Sequence, residues 1–425
     1  MSTSLAEQHP STLAFELIAG VPEATADPYP RYRALREQAP VHTMELPGVG
    51  VIHVLTRYAD CKSVLAAHDF GKGDRLDRGP SVFVDDDDQA ALEADFERRS
   101  SPMLFLNPPD HTRIRGLVSR AFTPRRIEAM RPRIDAMVGA VLDPLAGGGD
   151  VDLLDVLGFP LPVAVIGDLV GVPAADHAWF RQRVRDGAAS LELNADRDVL
   201  RRAATALGEM SEYFDDLVHA RRATPTDDLL SALIAAEDAG DRLTHEELIA
   251  NVILLFAAGF ETTTNLIGNG VVALCQHPAE LARLRADRSL LPSAIEEILR
   301  FDSPVQVDGR TALTDTTLPD GTPVKEGETA LTFLGAANHD PDRFDDPDRF
   351  DIGRRDNAPL SFAWGIHHCL GAALARAEGS AVFDAMLDRF SGIEMLDDPP
   401  RWRRSLTLRG LERLPVHLTG RAPAR

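Results

Sequence analysis

Apolar side chains recur along this chain with two different periods. From residue 110 to about residue 300 the spacing is helical, whereas residues 304–324 alternate in short strand-like pieces around the turn PDGTP. Nearer the N-terminus, VHTMEL and VIHVLT flank PGVG as the two strands of a hairpin, with a short helix on either side. The pattern predicts a mainly α fold with small β-sheets.

The same pattern contains no internal repeat, and no Gly/Ser-rich or Pro-rich linker is long enough to separate two folding units. We therefore expect residues 1–425 to form a single domain. Residues 337–359 are irregular and rich in proline and aspartate, which is long for a loop without structure. Loops of this kind commonly carry function.

Charge and hydropathy narrow the range of partners. The 425 residues include 45 Lys and Arg against 66 Asp and Glu, and the net charge of -21 argues against nucleic acid or anionic lipid as the main partner. The longest apolar run, VILLFAAGF, is far shorter than the roughly 20 residues of a membrane helix, and the start MSTSLAEQHP lacks a basic-then-apolar leader. We expect a soluble cytoplasmic protein that binds no membrane.

One long helix is predicted in the second half of the chain. Thr244 and Glu247 have the spacing of a capping box, and nothing breaks the helical pattern before Pro278, so the helix is roughly 50 Å long. Its middle, AAGFETTTN, combines residue types that are unfavourable inside a helix. Local preference is therefore overridden at this point.

Two explanations of this polar patch are open. The Thr262 hydroxyl lies one turn after Ala258 and could bond its carbonyl, while Gly259 leaves room for a ligand to approach, which together favour a local opening of the helix. Alternatively, this face of the helix reaches solvent, where Glu261 and the threonines are merely hydrated.

A single cysteine precedes another predicted helix, in FAWGIHHCLGAALARAE. A thiolate is favoured at a helix N-terminus, so we expect Cys369 to be readily deprotonated. Gly365 and Gly371 permit tight turns and the close approach of a flat ligand, so a planar metal cofactor would fit. Cys61 and Cys275 lie in apolar helical contexts and are expected to be small core residues. Three cysteines form no disulfide framework and suit a reducing compartment.

Zinc is an alternative occupant, because His367, His368 and Cys369 are all possible ligands. Adjacent side chains rarely converge on one tetrahedral ion, however, and no CxxC or HxxxH partner is nearby. A nucleophilic cysteine enzyme is a further alternative, although spacing identifies no base.

The cysteine segment resembles the signature Phe-x-x-Gly-x-His-x-Cys-x-Gly of the soluble bacterial, actinobacterial-type cytochrome P450 family. Phe362, Gly365, His367, Cys369 and Gly371 carry the match. The resemblance implies the cytochrome P450 fold and haem b (iron protoporphyrin IX), with Cys369 as the metal ligand and all five residues in contact with the cofactor.

The long helix resembles the oxygen-binding motif of the same family through Ala258, Gly259, Glu261, Thr262 and Thr263. The resemblance implies that Ala258 contacts the haem and that Glu261 and Thr262 are catalytic, managing proton delivery on the distal side.

Further matches lie in family order along the chain. The segment EILR supplies a Glu-x-x-Arg pair, Glu297 and Arg300, and FDDPDRF resembles the meander that adds Arg349 to a buried structural network. Two departures affect the cysteine loop, since Ala363 stands where the family usually has glycine and Pro359 where it often has histidine.

Haem propionates require cationic or hydrogen-bond-donating partners. His111 and Arg115 lie one helical turn apart in DHTRIR and match the family's propionate-binding pair. By the same resemblance, Arg310 and His367 make further propionate contacts.

The activity implied is that of a monooxygenase, which hydroxylates or epoxidises a hydrophobic small molecule with O2 and two electrons. The resemblance implies a ferredoxin and an NAD(P)H-dependent ferredoxin reductase, docking at a local basic patch for which Arg115, Arg354 and Arg355 are candidates. A peroxide-driven peroxygenase and a non-catalytic haem-binding protein are the alternatives. Glu261 and Thr262 count against both.

The substrate pocket implied by the resemblance is mostly apolar, which favours a polyketide, terpenoid, steroid or similar molecule. Its predicted lining is residues 81–105, residues 191–200, Phe256 with Ala257, residues 305–307 and Leu406.

Overall fold

The computed structural model describes residues 4–46, 49–73, 101–192, 194–238 and 243–420. Helices dominate these residues, which confirms the mainly α prediction. The helices are α1 (Pro10–Ile18), α2 (Pro22–Ala26), α3 (Tyr29–Gln38), α4 (Tyr58–Ala66), α5 (Asp110–Val118), α6 (Pro124–Leu142), α7 (Pro160–Val170), α8 (His177–Ala189), α9 (Arg197–Ala223), α10 (Leu229–Asp238), α11 (His245–Gln276), α12 (Pro278–Ala286), α13 (Leu291–Phe301), α14 (Leu334–Ala337) and α15 (Ala372–Arg389).

The strands form three small sheets. They are β1 (Val41–Leu46), β2 (Gly50–Leu55), β3 (Phe70–Gly71), β4 (Gly149–Asp152), β5 (Val307–Ala312), β6 (Thr316–Thr317), β7 (Pro323–Val324), β8 (Thr329–Phe333), β9 (Phe390–Met395) and β10 (Pro415–Gly420). The largest sheet has the order β1-β2-β8-β5-β3, in which the antiparallel β1–β2 pair is the predicted hairpin. The second has the order β4-β10-β9, and β6 pairs with β7 around the PDGTP turn.

Helix α11 crosses the main apolar core, where it packs against α7, α9 and α15. Its capping box is formed as predicted, because the Thr244 side chain accepts from the Glu247 amide and the Glu247 carboxylate accepts from the Thr244 amide. By length and composition α11 would also pass for a membrane span, but 61% of its most apolar window is buried inside the protein. This burial is typical of a core helix.

The segment between α14 and α15 is irregular, as predicted, with only a short 3-10 turn over Gly365–His367. Hydrogen bonds from buried side chains, rather than regular backbone hydrogen bonds, hold this segment in place. The Asn338 carboxamide accepts from the Leu360 amide at 2.7 Å and donates to the Ser361 hydroxyl at 2.9 Å, and that hydroxyl donates to the Leu299 carbonyl. The loop is therefore held rigidly against α13.

A buried cluster joins the two ends of the chain. The Arg409 guanidinium donates to the Asp302 carboxylate at 2.5 Å and to the Thr25 carbonyl at 2.8 Å, and it stacks 3.7 Å from the Trp402 ring. Tyr29 donates to the same carboxylate at 2.7 Å. The N-terminal helices and the C-terminal segment thus share one set of polar contacts.

Candidate active site

The cysteine loop is closed by the Cys369 amide, which donates to the Phe362 carbonyl at 2.9 Å. Gly365 has φ +74, and a Cβ added there would lie 2.2 Å from the Leu65 carbonyl oxygen in α4. Only glycine satisfies both conditions. Ala363, at the position where the family usually has glycine, also adopts a left-handed φ of +55.

The thiol of Cys369 does not have the low pKa expected from its position before a helix. Burial raises its pKa, while the Gly371 amide and the charges of Arg115 and Arg376 act in the opposite direction. Helix α15 begins only at Ala372, so the strongest part of the helix dipole lies beyond the sulfur. The prediction that Cys369 is readily deprotonated is therefore wrong for the polypeptide alone. A coordinating metal ion, in contrast, deprotonates a thiol outright.

The other two cysteines are core residues, as predicted. Cys61 is fully buried and donates to the Leu55 carbonyl, and Cys275 is half-buried and donates to the Ile393 carbonyl. Cys369, in contrast, is accessible to solvent by surface area, although the protein atoms around it desolvate the thiol enough to raise its pKa. Within the described ranges no group of three or more His, Cys, Asp or Glu side chains could hold a metal ion, so nothing there supports the zinc alternative.

His111, His367 and Arg310 come together from α5, the cysteine loop and β5. The two imidazole rings lie 4.3 Å apart. Both ring nitrogens of His111, Nε2 of His367 and Nη2 of Arg310 are buried with no hydrogen-bond partner among the described residues. Leaving a polar group buried and unsatisfied costs roughly 1–3 kcal/mol each, so this cradle suits an anion rich in acceptor oxygens. The carboxylates of haem fit it.

Electrostatics in the cradle favour a negative ligand. Burial lowers the pKa of His367 to about 2, assisted by the charges of Arg310 and Lys72, and burial also lowers the pKa of His111. Both rings are therefore neutral. Arg310 donates to Asp308 at 2.5 Å, and the Lys72 ammonium contacts the same carboxylate at 3.1 Å. Sequence reasoning did not assign Lys72 to the site, since its partner is far away along the chain.

Arg115 lies one turn after His111 on α5, as predicted. Its Nη2 donates to the His368 carbonyl at 2.5 Å, and its charge acts on the Cys369 thiol. Arg115 thereby connects the cradle with the cysteine loop.

On α11 the Thr262 hydroxyl donates to the Ala258 carbonyl at 2.7 Å, which confirms the predicted bond. The helix itself is unbroken from residue 245 to residue 276, so the local opening, one of the two explanations of the polar patch, is not formed. Ala258 is exposed and Thr262 half-buried, while a Cβ on Gly259 would approach Ile166 to 3.2 Å. The uncrowded surface at Ala258 is where a flat ligand could approach the helix.

Glu261 does not lie on a hydrated face. It is 2% exposed and forms an ion pair with Arg403. The Arg403 guanidinium also donates to the Asn265 carboxamide oxygen at 2.7 Å. Part of the polar patch is structural, since the Thr264 hydroxyl donates to the Gly158 carbonyl at 2.6 Å. Arg403 was missed from the sequence, because nothing in its local pattern points to α11.

Glu297 and Arg300 form the predicted buried pair, with both side chains 0% exposed and two bonds of 2.8 Å. The third member is Arg354, whose Nε lies 3.1 and 3.2 Å from the two Glu297 oxygens. The assignment of Arg349 is wrong. Arg349 is exposed and offers only its carbonyl, which accepts from Arg300 and Arg354, because the loop turns its backbone toward the pair.

Only part of the predicted pocket lining lies within the described residues, and part of that was assigned wrongly. Of residues 81–105, those up to residue 100 lie outside the described ranges. Phe256 is 0% exposed and packs 4.2 Å from the Phe180 ring, so its assignment to the pocket is wrong. Ala257 next to it is half-buried, and Leu406 is 5% exposed.

Comparison with known proteins decides what this arrangement is. A family model described as Cytochrome P450 matches residues 196–410. The chain belongs to the cytochrome P450 family. Cytochrome P450 107B1 of Saccharopolyspora erythraea is 42% identical over 407 residues, which cover 92% of this chain and 95% of the relative. Cytochrome P450 monooxygenase PikC of Streptomyces venezuelae is 39% identical, covering 92% and 91%.

Solved structures of cytochromes P450 are similar to this chain as well. The Bacillus subtilis bacillaene polyketide synthase cytochrome P450 PksS superposes with a TM-score of 0.84 at 35% identity, covering 97% of this chain and all of that one. The chain described here is therefore a haem-thiolate monooxygenase with haem b as its cofactor. It acts on a small-molecule substrate with O2 and receives electrons from redox partners.

Proposed function

We propose that Cys369 is the thiolate ligand of the haem, with His111, Arg310 and His367 around the propionates and Arg115 beside them. The buried nitrogens without partners in the cradle support this assignment. Ala258, Phe362, Gly365 and Gly371 complete the contacts, by resemblance to the family motifs. The whole chain then acts as one haem-enclosing domain in the cytoplasm.

Bound haem supplies the activation of O2, so that one oxygen atom enters the substrate and the other leaves as water with two electrons and two protons. The protein must deliver those protons. Glu261 supplies a buried carboxylate and Thr262 a hydroxyl on the next residue, beside the exposed Ala258. We assign the proton relay to Glu261 and Thr262 by resemblance to the family motif, because an acid and a hydroxyl held in position can act in general acid–base catalysis.

We propose a ferredoxin, reduced by an NAD(P)H-dependent ferredoxin reductase, as the electron donor. The supporting surface is the outside of the cysteine loop, where Trp364 and Ile366 are each 39% exposed and the Lys62 ammonium lies 4.1 Å from the Trp364 ring. Exposed apolar side chains beside a cation suit an acidic partner. Arg355 is also exposed, whereas Arg354 forms an ion pair with Glu297 and does not belong to this docking surface.

The substrate we propose is a hydrophobic small molecule of the polyketide type. The supports are the largely apolar residues predicted around the pocket and the similarity to PksS, whose name places it with a polyketide synthase. A terpenoid or a steroid has the same apolar chemistry. Titration of all three classes, followed by the shift of the Soret band, distinguishes them.

The ligand assignment is tested by the absorption of the reduced protein with carbon monoxide. We expect the thiolate-specific Soret band of the family in the wild type, in Cys61→Ser and in Cys275→Ser, and its loss in Cys369→Ser. These two control cysteines bond to carbonyls in the core. A thiolate band retained in Cys369→Ser would reject the assignment.

The activity is tested with a candidate substrate under two conditions. One mixture contains a ferredoxin, its reductase, NAD(P)H and O2, and the other contains hydrogen peroxide alone. We expect product only in the first. Equal turnover with peroxide alone would favour a peroxygenase, and no product in either mixture would favour a haem-binding protein.

A further inference from the structure

We propose that Arg403 is a positioning residue for proton delivery, which acts by holding the Glu261 carboxylate in place. This inference rests on the proposed role of Glu261. Nothing in the motifs of α11 indicates Arg403, which lies in the irregular segment between β9 and β10.

The contact is a fork that spans one turn of α11. Arg403 Nη1 donates to Glu261 Oε1, and Nη2 donates to Asn265 Oδ1 at 2.7 Å. Glu261 and Asn265 are four residues apart and therefore share a helix face. A planar guanidinium that engages two acceptors fixes both side chains more tightly than a single bond would. The carboxylate of Glu261 has its orientation set by the C-terminal segment.

The backbone around Arg403 is shaped for this contact. The Arg403 amide donates to the Gly410 carbonyl at 2.9 Å, and Trp402 pairs with Leu411, so residues 402–411 form a hairpin. A Cβ on Gly410 would lie 2.0 Å from Asn265 Oδ1 and 2.5 Å from Arg403 Nη2. Glycine at this position lets the hairpin press directly on α11.

This hairpin is held at both ends. At its tip the Glu192 carboxylate accepts from the Ser405 hydroxyl and from the Leu406 amide at 2.9 Å. Near its other end Arg409 is paired with the buried Asp302. Arg403 is thus presented to Glu261 by a rigid support, as expected of a group that positions another.

Burial explains why Glu261 requires this partner. The Glu261 side chain is 3% exposed and that of Arg403 25%, so the carboxylate is the more deeply buried member of the pair. Burying a charged group is costly unless it is paired and hydrogen-bonded, and the guanidinium supplies both the charge and the hydrogen bond. Glu261 Oε2 is buried without a partner among the described residues, so one oxygen remains available for proton exchange. Arg185 adds a second cation whose charge interacts with Glu261.

The test compares Arg403→Gln with Arg401→Gln, a matched control from the same segment whose side chain is 61% exposed. Product, hydrogen peroxide and NAD(P)H consumption are measured for the haem-loaded protein, in H2O and D2O. We expect Arg403→Gln to lower product per NAD(P)H roughly tenfold, with more peroxide and a larger solvent isotope effect, because the acid is misplaced. Arg401→Gln should match the wild type, and Arg403→Lys should recover part of the coupling since it keeps the charge but not the fork.

A second measurement does not depend on turnover. Infrared difference spectra between Arg403→Gln and the wild type should show a shifted carboxylate stretching band, because Glu261 loses a hydrogen-bond donor, and this signal should disappear when the same comparison is made in the Glu261→Gln background. Haem content and melting temperature report whether each variant folds. If Arg403→Gln fails to fold, Arg403→Lys supplies the coupling and isotope measurements, and wild-type values in it would overturn the proposal.

Glu261→Gln distinguishes the positioning role of Arg403 from the proposed role of Glu261 itself. Uncoupling in Glu261→Gln together with wild-type coupling and an unshifted carboxylate band in Arg403→Gln would overturn the role of Arg403 and leave that of Glu261 intact. Wild-type coupling in Glu261→Gln would remove the role of Glu261, and the role of Arg403 with it.

Discussion

Arg354, and not Arg349, completes the ion pair of Glu297 with Arg300. The Glu297 carboxylate also accepts from the Asp351 amide and from the Asn357 carboxamide, each at 2.9 Å. A carboxylate that is 0% exposed is therefore surrounded by donors from α13 and from the loop that leads to the cysteine. This relationship orders the segment on the proximal side of the site.

Removing Arg354 should destabilise the protein severely. Arg354→Ala leaves part of the Glu297 charge without compensation in the interior, at a cost of roughly 3 kcal/mol or more, and should yield little haem-loaded protein. Arg349→Ala is the matched control and should change the free energy of unfolding by less than about 0.5 kcal/mol, because its side chain is exposed. Chemical denaturation and haem content measure both. Equal effects of the two substitutions would restore Arg349 to the network.

Ala363→Gly should stabilise the cysteine loop. Ala363 has φ +55, a left-handed conformation that is unfavourable for alanine and unstrained for glycine, so we expect a gain of about 1 kcal/mol in the free energy of unfolding. Gly365→Ala should do the reverse and abolish haem binding, since its Cβ would meet the Leu65 carbonyl oxygen at 2.2 Å. Urea denaturation measures the first variant and absorption spectra the second. A loss of stability in Ala363→Gly would show that the strain is absent.

Glu378 makes stability depend on pH. Burial raises the pKa of Glu378 well above its usual range, so the folded protein keeps a proton that the unfolded chain releases above about pH 4.5. This group's contribution is present in full below that pH and is lost by up to about 1.4 kcal/mol per unit as the pH rises toward the folded pKa. Glu378→Gln, which cannot ionise, should therefore gain stability over the wild type as the pH increases from 5 to 8.

Denaturation midpoints of the wild type and Glu378→Gln across this pH range measure the effect. Glu128→Gln on α6 serves as the control, because Glu128 is exposed. A constant difference between wild type and Glu378→Gln at every pH would show that the carboxyl ionises equally in the folded and unfolded states.

Thr262→Ala should separate electron consumption from product formation. The substitution removes a hydroxyl that bonds within its own helix, so folding, haem binding and substrate binding should survive. NAD(P)H consumption should continue while product falls and hydrogen peroxide rises. Thr264→Ala is the control, since its hydroxyl joins α11 to the Gly158 carbonyl and its loss should lower the melting temperature without changing product per NAD(P)H. Unchanged coupling in Thr262→Ala would contradict its role.

Features of the fold and site that depend on neighbouring residues were predictable from the sequence. The capping box of Thr244 and Glu247, the β1–β2 hairpin and the Thr262–Ala258 bond each involve residues within one turn or one hairpin of each other. Short spacing leaves few geometries to consider.

Contacts made across long separations were not predictable in the same way. Arg354 is 57 residues from Glu297, Arg403 is 142 from Glu261, and Lys72 is 236 from Asp308. Arg349 and Arg354 lie only five residues apart in the sequence, and only the path of the loop shows which of them pairs with Glu297. The pKa of Cys369 depends likewise on three-dimensional burial, which spacing before a helix does not report.

The cluster of Arg409, Asp302, Tyr29 and the Thr25 carbonyl has a consequence for how the chain is made. Because protein synthesis proceeds from the N-terminus, α1 to α3 leave the ribosome long before Arg409 exists. Their polar contacts with Arg409, like the pairing of β4 with β10, can form only after residues 409–420 have been synthesised. The contacts that fix the N-terminal helices in place therefore form late in synthesis, and the nascent chain must remain protected from aggregation until Arg409 emerges.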